Sequence, residues 1–353
     1  MIITQTPFRV SFFGGGTDYP AWYRQHGGAV LASAIDKFCY ITCRPLPPFF
    51  EHRLRIVYSV NETCRTAAEV KHPAVRAALL HLGVEQGVEI HHDGDLPARS
   101  GMGSSSAFTV GLLNALHALE GRMRSPHQLA MEGLHLEQNV LEETVGSQDQ
   151  VIAAHGGFNH IQFHTSGEIS VRPIILPPER RAELQSSLML FYTGIKRTAA
   201  QVADTFVGDI DSKRRQLRLL GGMVDEAIGI LAGNGPLADF GLLLHEAWQA
   251  KRSLSDAVSR PEIDDAYSAA LRAGALGGKI TGAGGGGFLL LFVPPTRRQA
   301  VREALGRQIH VPFAFEPNGS RVVFYNPGVD YTAAASDNHE RSIVATKELE
   351  LQP

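Results

Sequence analysis

One stretch constrains this chain more than any other: Leu96-Pro97-Ala98-Arg99-Ser100-Gly101-Met102-Gly103-Ser104-Ser105-Ser106-Ala107. It runs straight into Phe108, Leu112, Leu116 and Leu119, apolar positions at helical spacing. A Gly/Ser-rich loop that opens a helix aims free backbone N–H groups and the positive end of the helix dipole at one spot. That spot suits a phosphate. Gly101 and Gly103 let the backbone come close to a ligand at positive φ. The three serines can cap the helix, and they can offer oxygen to a metal ion riding on phosphates. A plain serine-capped helix after a turn is the alternative.

The remaining sequence bounds the context. With 353 residues the chain has room for two domains. A hydrophobic fraction of 44% and a charged fraction of 20% describe an ordinary globular protein. A formal net charge of −3 argues against a nucleic-acid partner bound through phosphate neutralisation. Cys39, Cys43 and Cys64 are odd in number and form no CxxC, so reduced buried thiols and a cytoplasmic protein are expected. The start carries no basic segment followed by an apolar one, so no signal peptide is expected. No apolar run nears the ~20 residues of a membrane span.

In chain order, Pro7–Phe13 alternates as a strand, with Phe8, Val10 and Phe12 on one face and Arg9, Ser11 and Phe13 on the other. It stops at Gly14-Gly15-Gly16-Thr17-Asp18-Tyr19-Pro20. Ser125-Pro126 reads as an N-cap with proline in the first turn of a helix running to about Thr144, which Gly146 breaks. Pro177-Pro178 and the charges after it suggest a boundary, giving units 1–178 and 179–335 and a polar tail, 336–353. Long helices are expected over 198–232, 237–258 and 262–274. Gly282-Ala283-Gly284-Gly285-Gly286-Gly287 formally fits GxGxxG, but it enters the strand Phe288–Val293 instead of a helix. A dinucleotide fingerprint is therefore excluded. Gly278-Lys279 is followed by Ile280, so no Walker A motif is present either.

Three Gly-rich segments thus stand in fixed order: Pro7–Tyr19, Pro97–Ala107 and Gly282–Phe288. Together they resemble the three signature motifs of the GHMP kinase superfamily, the middle one fitting PxxxGxGSSxA. The resemblance spans essentially the whole chain. It implies an α+β, two-domain GHMP kinase fold: an N-terminal domain like ribosomal protein S5 domain 2, a ferredoxin-like C-terminal domain, and ATP with Mg²⁺. The Phe-Gly-Gly-Gly-Thr-Asp start, His26-Gly27-Gly28-Ala29-Val30, Ile35-Asp36-Lys37 and Tyr192-Thr193-Gly194 are most similar to the D-glycero-D-manno-heptose 7-phosphate kinases.

By this resemblance Pro97, Ser100, Gly101, Met102, Gly103, Ser104, Ser105 and Ser106 bind nucleotide. Asp149 matches the catalytic aspartate, and Arg9 the cation that holds Asp149 ionised and offsets phosphoryl charge. Glu137 and Ser105 match the magnesium oxygens. Gly15, Gly16, Thr17, Asp18, Gly28, Asp149, Gly284 and Gly285 are expected to meet the substrate, Asp18 gripping sugar hydroxyls. Galactokinases carry Glu-His where this chain has Gly15-Gly16, which leaves room for a longer, phosphorylated sugar such as a heptose 7-phosphate. Lys37, Lys196 and Arg197 are the candidate cations for its phosphate, Arg197 first because guanidinium grips phosphate bidentately. The expected partners are a sugar phosphate and ATP, with no nucleic acid and no membrane. A homodimer stays open. So do other sugars (mannose, fucose, galactose), a GHMP-fold decarboxylase and a non-catalytic sugar sensor.

Overall fold

The computed structural model describes residues 1–84, 86–195, 205, 207–208 and 210–328. Lys196, Arg197 and the 336–353 tail lie outside them.

β1 (Ile2–Phe13) pairs along almost its full length with β2 (Gly28–Pro45). β2 is too long for one partner. Its first half pairs with β6 (Phe158–Phe163) and its second half with β5 (Val88–Gly94). β3 (Leu54–Val57) runs parallel to β5 and carries β4 (Asn61–Cys64) at one edge, while β7 (Ile169–Pro173) pairs with β6. The second sheet is antiparallel, in the order β11 (Ile309–Val311), β8 (Leu188–Tyr192), β10 (Phe288–Phe292), β9 (Gly277–Ile280). The expected 179–335 unit keeps this sheet but not its last strand. β12 (Arg321–Tyr325) returns to pair with β1 at the edge of the first sheet.

Residues 104–119 form α3, and every residue from Ser106 to Leu119 is buried. Helical spacing predicted one apolar face; instead the helix is enclosed all round, as befits near-continuous apolar sequence. Gly111 lets it lie tight on β1, since a Cβ there would come within 2.7 Å of the Thr6 hydroxyl. Alternation in β1 holds as read, but both faces are covered. Phe12 sits among Phe158, Phe240 and Phe315, and Phe13 stacks edge-on against Phe240 at 5.1 Å. Phe240 belongs to α8 (Ala238–Arg252), so aromatic burial clamps β1 to the second unit. The Arg9 face is sealed in turn by the phosphate-loop candidate.

Two expectations shift. The helix from Pro126 ends at His135 as α4, and residues Leu136–Val140 form one π-helical turn, well short of Thr144. The Pro177-Pro178 break is followed directly by α6 (Pro178–Ser187), proline being tolerated in a first turn. α7 (Arg214–Ala232), α8 and α9 (Pro261–Arg272) occupy the expected helical stretch after it. All three cysteines are free and buried. No described helix is long and apolar enough to cross a membrane.

Candidate active site

The loop before α3 carries no serine cap. Its N-cap is Gly103, at φ 74°, and no side chain caps the helix. Ser100 turns inward and donates to the Pro97 carbonyl at 2.6 Å; the Arg99 N–H donates to Ser104 Oγ at 3.3 Å. Arg99 itself sits at φ 59°, rare for a residue with a side chain and a mark of a loop held in place by its surroundings. Met102 is fully buried and pins the loop to β1, its carbonyl accepting from the Arg9 N–H at 3.1 Å. The alternative of a serine-capped helix is thereby removed, and the helix N-terminus keeps its first donors free of side-chain competition.

Arg9 is 4% exposed at its side chain, a buried charge that needs partners. Its Nε and Nη2 donate to the two oxygens of Asp149 at 2.7 and 2.8 Å, and Nη1 donates to the Gly101 carbonyl at 2.6 Å. Such a two-point grip fixes the carboxylate plane. Asp149 stands in the first turn of α5 (Gln148–His155), with 23% of its side chain exposed. The pair therefore has one sealed side and one open edge. A Cβ at Gly103 would sit 3.4 Å from Asp149 Oδ2, which brings the phosphate-loop candidate against that edge.

Asp18 is buried beside this pair, 1% exposed. It accepts from the Gly16 N–H and from Gln148 Nε2, both at 2.9 Å. Burial raises its pKa against the pull of those hydrogen bonds, and the nearby Asp149 adds to the rise. Lys279 reaches across from β9 and donates from Nζ to the Phe12 carbonyl at 3.0 Å. Burial, then Lys251 and Arg9, depress its pKa well below the ordinary lysine value, while Asp18 opposes the drop. Sequence reading saw Gly278-Lys279 only as a failed Walker motif. The signal was a lysine inside a four-residue strand that is buried throughout.

Glu137 lies in the π-helical turn, which swings it inward, 1% exposed. Ser106 Oγ donates to its Oε2 at 2.9 Å, and Gln150 Nε2 donates to the same oxygen. Oε1 has no well-aligned hydrogen-bond partner, although the Thr109 hydroxyl lies close enough to Glu137 to draw its pKa down. Burial pushes the pKa of Glu137 up to about 7. The hydroxyl matched to Glu137 from the sequence was that of Ser105. In the structure Ser105 is exposed and Ser106 meets Glu137 instead. Successive helical residues point about 100° apart, so only one of the two can face the turn that carries Glu137.

Several expected substrate contacts are spent elsewhere. The Thr17 hydroxyl donates towards the Gly14 and Ala29 carbonyls and accepts from the Ala29 N–H, with 1% of the residue exposed. Gly28 packs on the Thr17 carbonyl. The Gly285 N–H donates to the Val258 carbonyl at 2.6 Å, and Gly284 abuts the same residue. These glycines are held in loop packing: Gly284 and Gly285 are buried and Gly28 is half-buried. Gly16 faces Leu217 and Leu254, so leucines fill the room expected there; Gly15 alone keeps space, with polar neighbours. Lys37 is paired with Asp36 at 2.9 Å.

A sealed guanidinium holding a half-open carboxylate, placed against an uncapped helix N-terminus, can receive a phosphate and deprotonate or orient a hydroxyl beside it. The GHMP kinases N terminal domain matches residues 66–157, and the GHMP kinases C terminal domain matches residues 229–310. The D-glycero-alpha-D-manno-heptose 7-phosphate kinase of Campylobacter jejuni is 27% identical over 87% of this chain and 94% of its own length. A crystal structure of a D-glycero-D-manno-heptose 1-phosphate kinase from Bacteroides thetaiotaomicron superposes with a TM-score of 0.75 at 22% identity, over 92% of this chain and 100% of its own. Galactokinase from Lactococcus lactis, solved with galactose, superposes with a TM-score of 0.71 at 19% identity, over 91% and 94%. Both matched domains, in order and around one site, place this chain among the GHMP kinases, a phosphotransferase family with a two-domain α+β fold.

Proposed function

We propose that this kinase transfers the γ-phosphoryl group of ATP to the anomeric hydroxyl of D-glycero-α-D-manno-heptose 7-phosphate, giving the 1,7-bisphosphate. The observation that carries the phosphoryl-transfer reading is the Arg9–Asp149 pair, held at 2.7 and 2.8 Å against the Gly103 end of an uncapped helix. The identity of the sugar rests on the relative from Campylobacter jejuni and on Gly15, which puts no side chain beside Ser11 and Gln148.

In this reading the loop from Pro97 to Ser106 receives the nucleotide phosphates on its backbone N–H groups. Asp149 accepts the proton of the acceptor hydroxyl as its oxygen bonds to the γ-phosphorus and the bond to the ADP oxygen breaks. A carboxylate oxygen has two acceptor positions, so Asp149 can hold Arg9 and the hydroxyl together. Arg9 keeps the carboxylate aimed and sets positive charge beside the transferred group. Asp18 accepts from a second sugar hydroxyl.

The residues present fit Mg²⁺. This hard cation takes a few oxygens and keeps waters, and Glu137 Oε1 is a buried carboxylate oxygen without a partner. Glu137 would hold the ion with Ser106 or Ser105. Bound there, it would offset phosphate charge.

The test is kinetic. Purified protein with Mg·ATP is offered heptose 7-phosphate, mannose, fucose and galactose, and products are identified by mass and by phosphorus NMR. Heptose 7-phosphate is expected to exceed the free sugars by several hundredfold in kcat/KM. Faster turnover of a free sugar overturns the substrate and leaves the kinase. ATP consumption that releases CO₂ from a carboxylated acceptor overturns the kinase reading itself.

A further inference from the structure

Two buried polar atoms beside the Arg9–Asp149 pair have no partner. Ser11 Oγ, in a residue 3% exposed, makes no hydrogen bond, and neither does Gln148 Oε1, in a residue 8% exposed. Their positions are coupled to the reactive pair. Ser11 is two residues beyond Arg9, on the same face of β1, and Gln148 immediately precedes Asp149. Ser11 and the Gln148 amide both border Gly15, where a Cβ would lie 3.8 Å from Ser11 Oγ and 3.8 Å from Gln148 Nε2, the amide atom bonded to Oε1's own carbon.

The orientation of the Gln148 amide is set by its partner. Nε2 donates to Asp18 Oδ2 at 2.9 Å, and the flipped amide would put two acceptor oxygens face to face. Oε1 is thereby committed to the unpartnered side as an acceptor that needs a donor. Ser11, which borders the same glycine, can donate or accept. A buried polar atom left unpaired costs on the order of 1–3 kcal/mol, so two of them flanking one glycine describe a site that is complete only with a polyhydroxylated ligand.

We propose that Ser11 and Gln148 form a specificity contact for the acceptor, binding the sugar hydroxyl next to the one that Asp149 engages, with Gln148 also holding Asp18 in place. This rests on the sugar-kinase reading above. Gln148 Oε1 accepts from that neighbouring hydroxyl, and the hydroxyl oxygen accepts from Ser11. For a sugar reacting at its anomeric carbon, the hydroxyl is the one on C2.

The experiment measures KM for acceptor and for ATP, kcat, and Tm in wild type, Ser11→Ala and Gln148→Met, with heptose 7-phosphate and its 2-deoxy analogue. Ser11→Ala removes an unpaired buried hydroxyl, so its Tm is expected to hold or rise while KM for the sugar rises tenfold or more. KM for ATP is expected to stay within twofold. Gln148→Met is expected to raise the sugar KM by at least as much. With the 2-deoxy analogue, wild type and Ser11→Ala should converge, because the missing hydroxyl and the missing serine remove the same contact. Sugar KM values within twofold of an active wild type overturn the contact and leave the kinase reading intact. A drop in Tm for Ser11→Ala with equal losses on both sugars assigns the serine to packing and also overturns it. A wild type that phosphorylates no sugar overturns both.

Discussion

Two glycine-rich loops meet in this molecule and use the same residue for opposite ends. In the 97–106 loop, Gly103 holds φ 74° so that an uncapped helix opens beside Arg9 and Asp149. The 282–287 loop gives its backbone to other backbones. A Cβ at Gly287 would fall 2.0 Å from the Ser100 carbonyl oxygen, and one at Gly282 would fall 2.8 Å from Gly101 Cα. The second loop is the bed on which the first lies, and a run of glycine alone does not say which role it plays. What separates them is the next element: a helix that supplies N–H donors, or a strand whose hydrogen bonds go to its neighbours.

The contrast is sharpest if each loop is broken separately, and the largest effect belongs to the reactive side. Asp149→Asn is expected to lower kcat by 10²- to 10⁴-fold, the scale of general acid–base effects, with KM for ATP little changed. Near wild-type turnover in a folded variant would remove Asp149 from the chemistry.

The supporting loop should fail as structure. Gly287→Ala puts a side chain at φ 89° against the Ser100 carbonyl, and a loss of about 3 kcal/mol is expected from backbone strain and overpacking together. Denaturant unfolding measures it. A variant that keeps wild-type stability but loses ATP affinity would instead make this loop a ligand contact.

A third prediction concerns pH. Glu137 has its pKa raised to about 7 in the folded state, so the fold binds a proton that the unfolded chain has released. Its contribution is fully present below the unfolded pKa and is lost as pH rises through about 7. Metal-free wild type should lose about 2 kcal/mol from this group between roughly pH 5.5 and 8, and Glu137→Gln should not. Equal pH slopes for the two proteins would show that Glu137 is already ionised in the fold. Mg²⁺ is expected to raise Tm in wild type at pH 8 and not in the variant.

The smallest effect discriminates neighbours in α3. Ser106→Ala, which takes a hydroxyl from Glu137, should raise KM for Mg·ATP several-fold more than Ser105→Ala does. The reverse order would restore the assignment made from sequence spacing.

Much of the site was written in local sequence. Strand alternation put Arg9 and Ser11 on one face of β1, the Gly/Ser run ahead of Phe108 announced the helix N-terminus, and the break at Gly146 prepared the turn that starts α5 with Asp149. Each follows from backbone geometry over a few residues, so the pattern survives without knowledge of the fold. Where helical phase mattered, spacing was not enough. Ser105 fills a fixed position of the motif and Ser106 the variable one after it, yet the packing of α3 against the Glu137 turn brings Ser106 to the carboxylate. Burial was also illegible: Thr17 reads as a polar turn residue, yet its hydroxyl is consumed by two carbonyls from different segments.

The sequence by itself determined the order of the three glycine segments, the elements that follow them and the residue types that phosphoryl transfer requires. Tertiary structure alone decided what each glycine touches, that Lys279 crosses from the second sheet to the end of β1, and that β12 returns to the first sheet. The reason is range. Propensity and periodicity act within a turn or a strand, while hydrogen-bond satisfaction in the interior is settled between groups as far apart in the chain as Phe12 and Lys279.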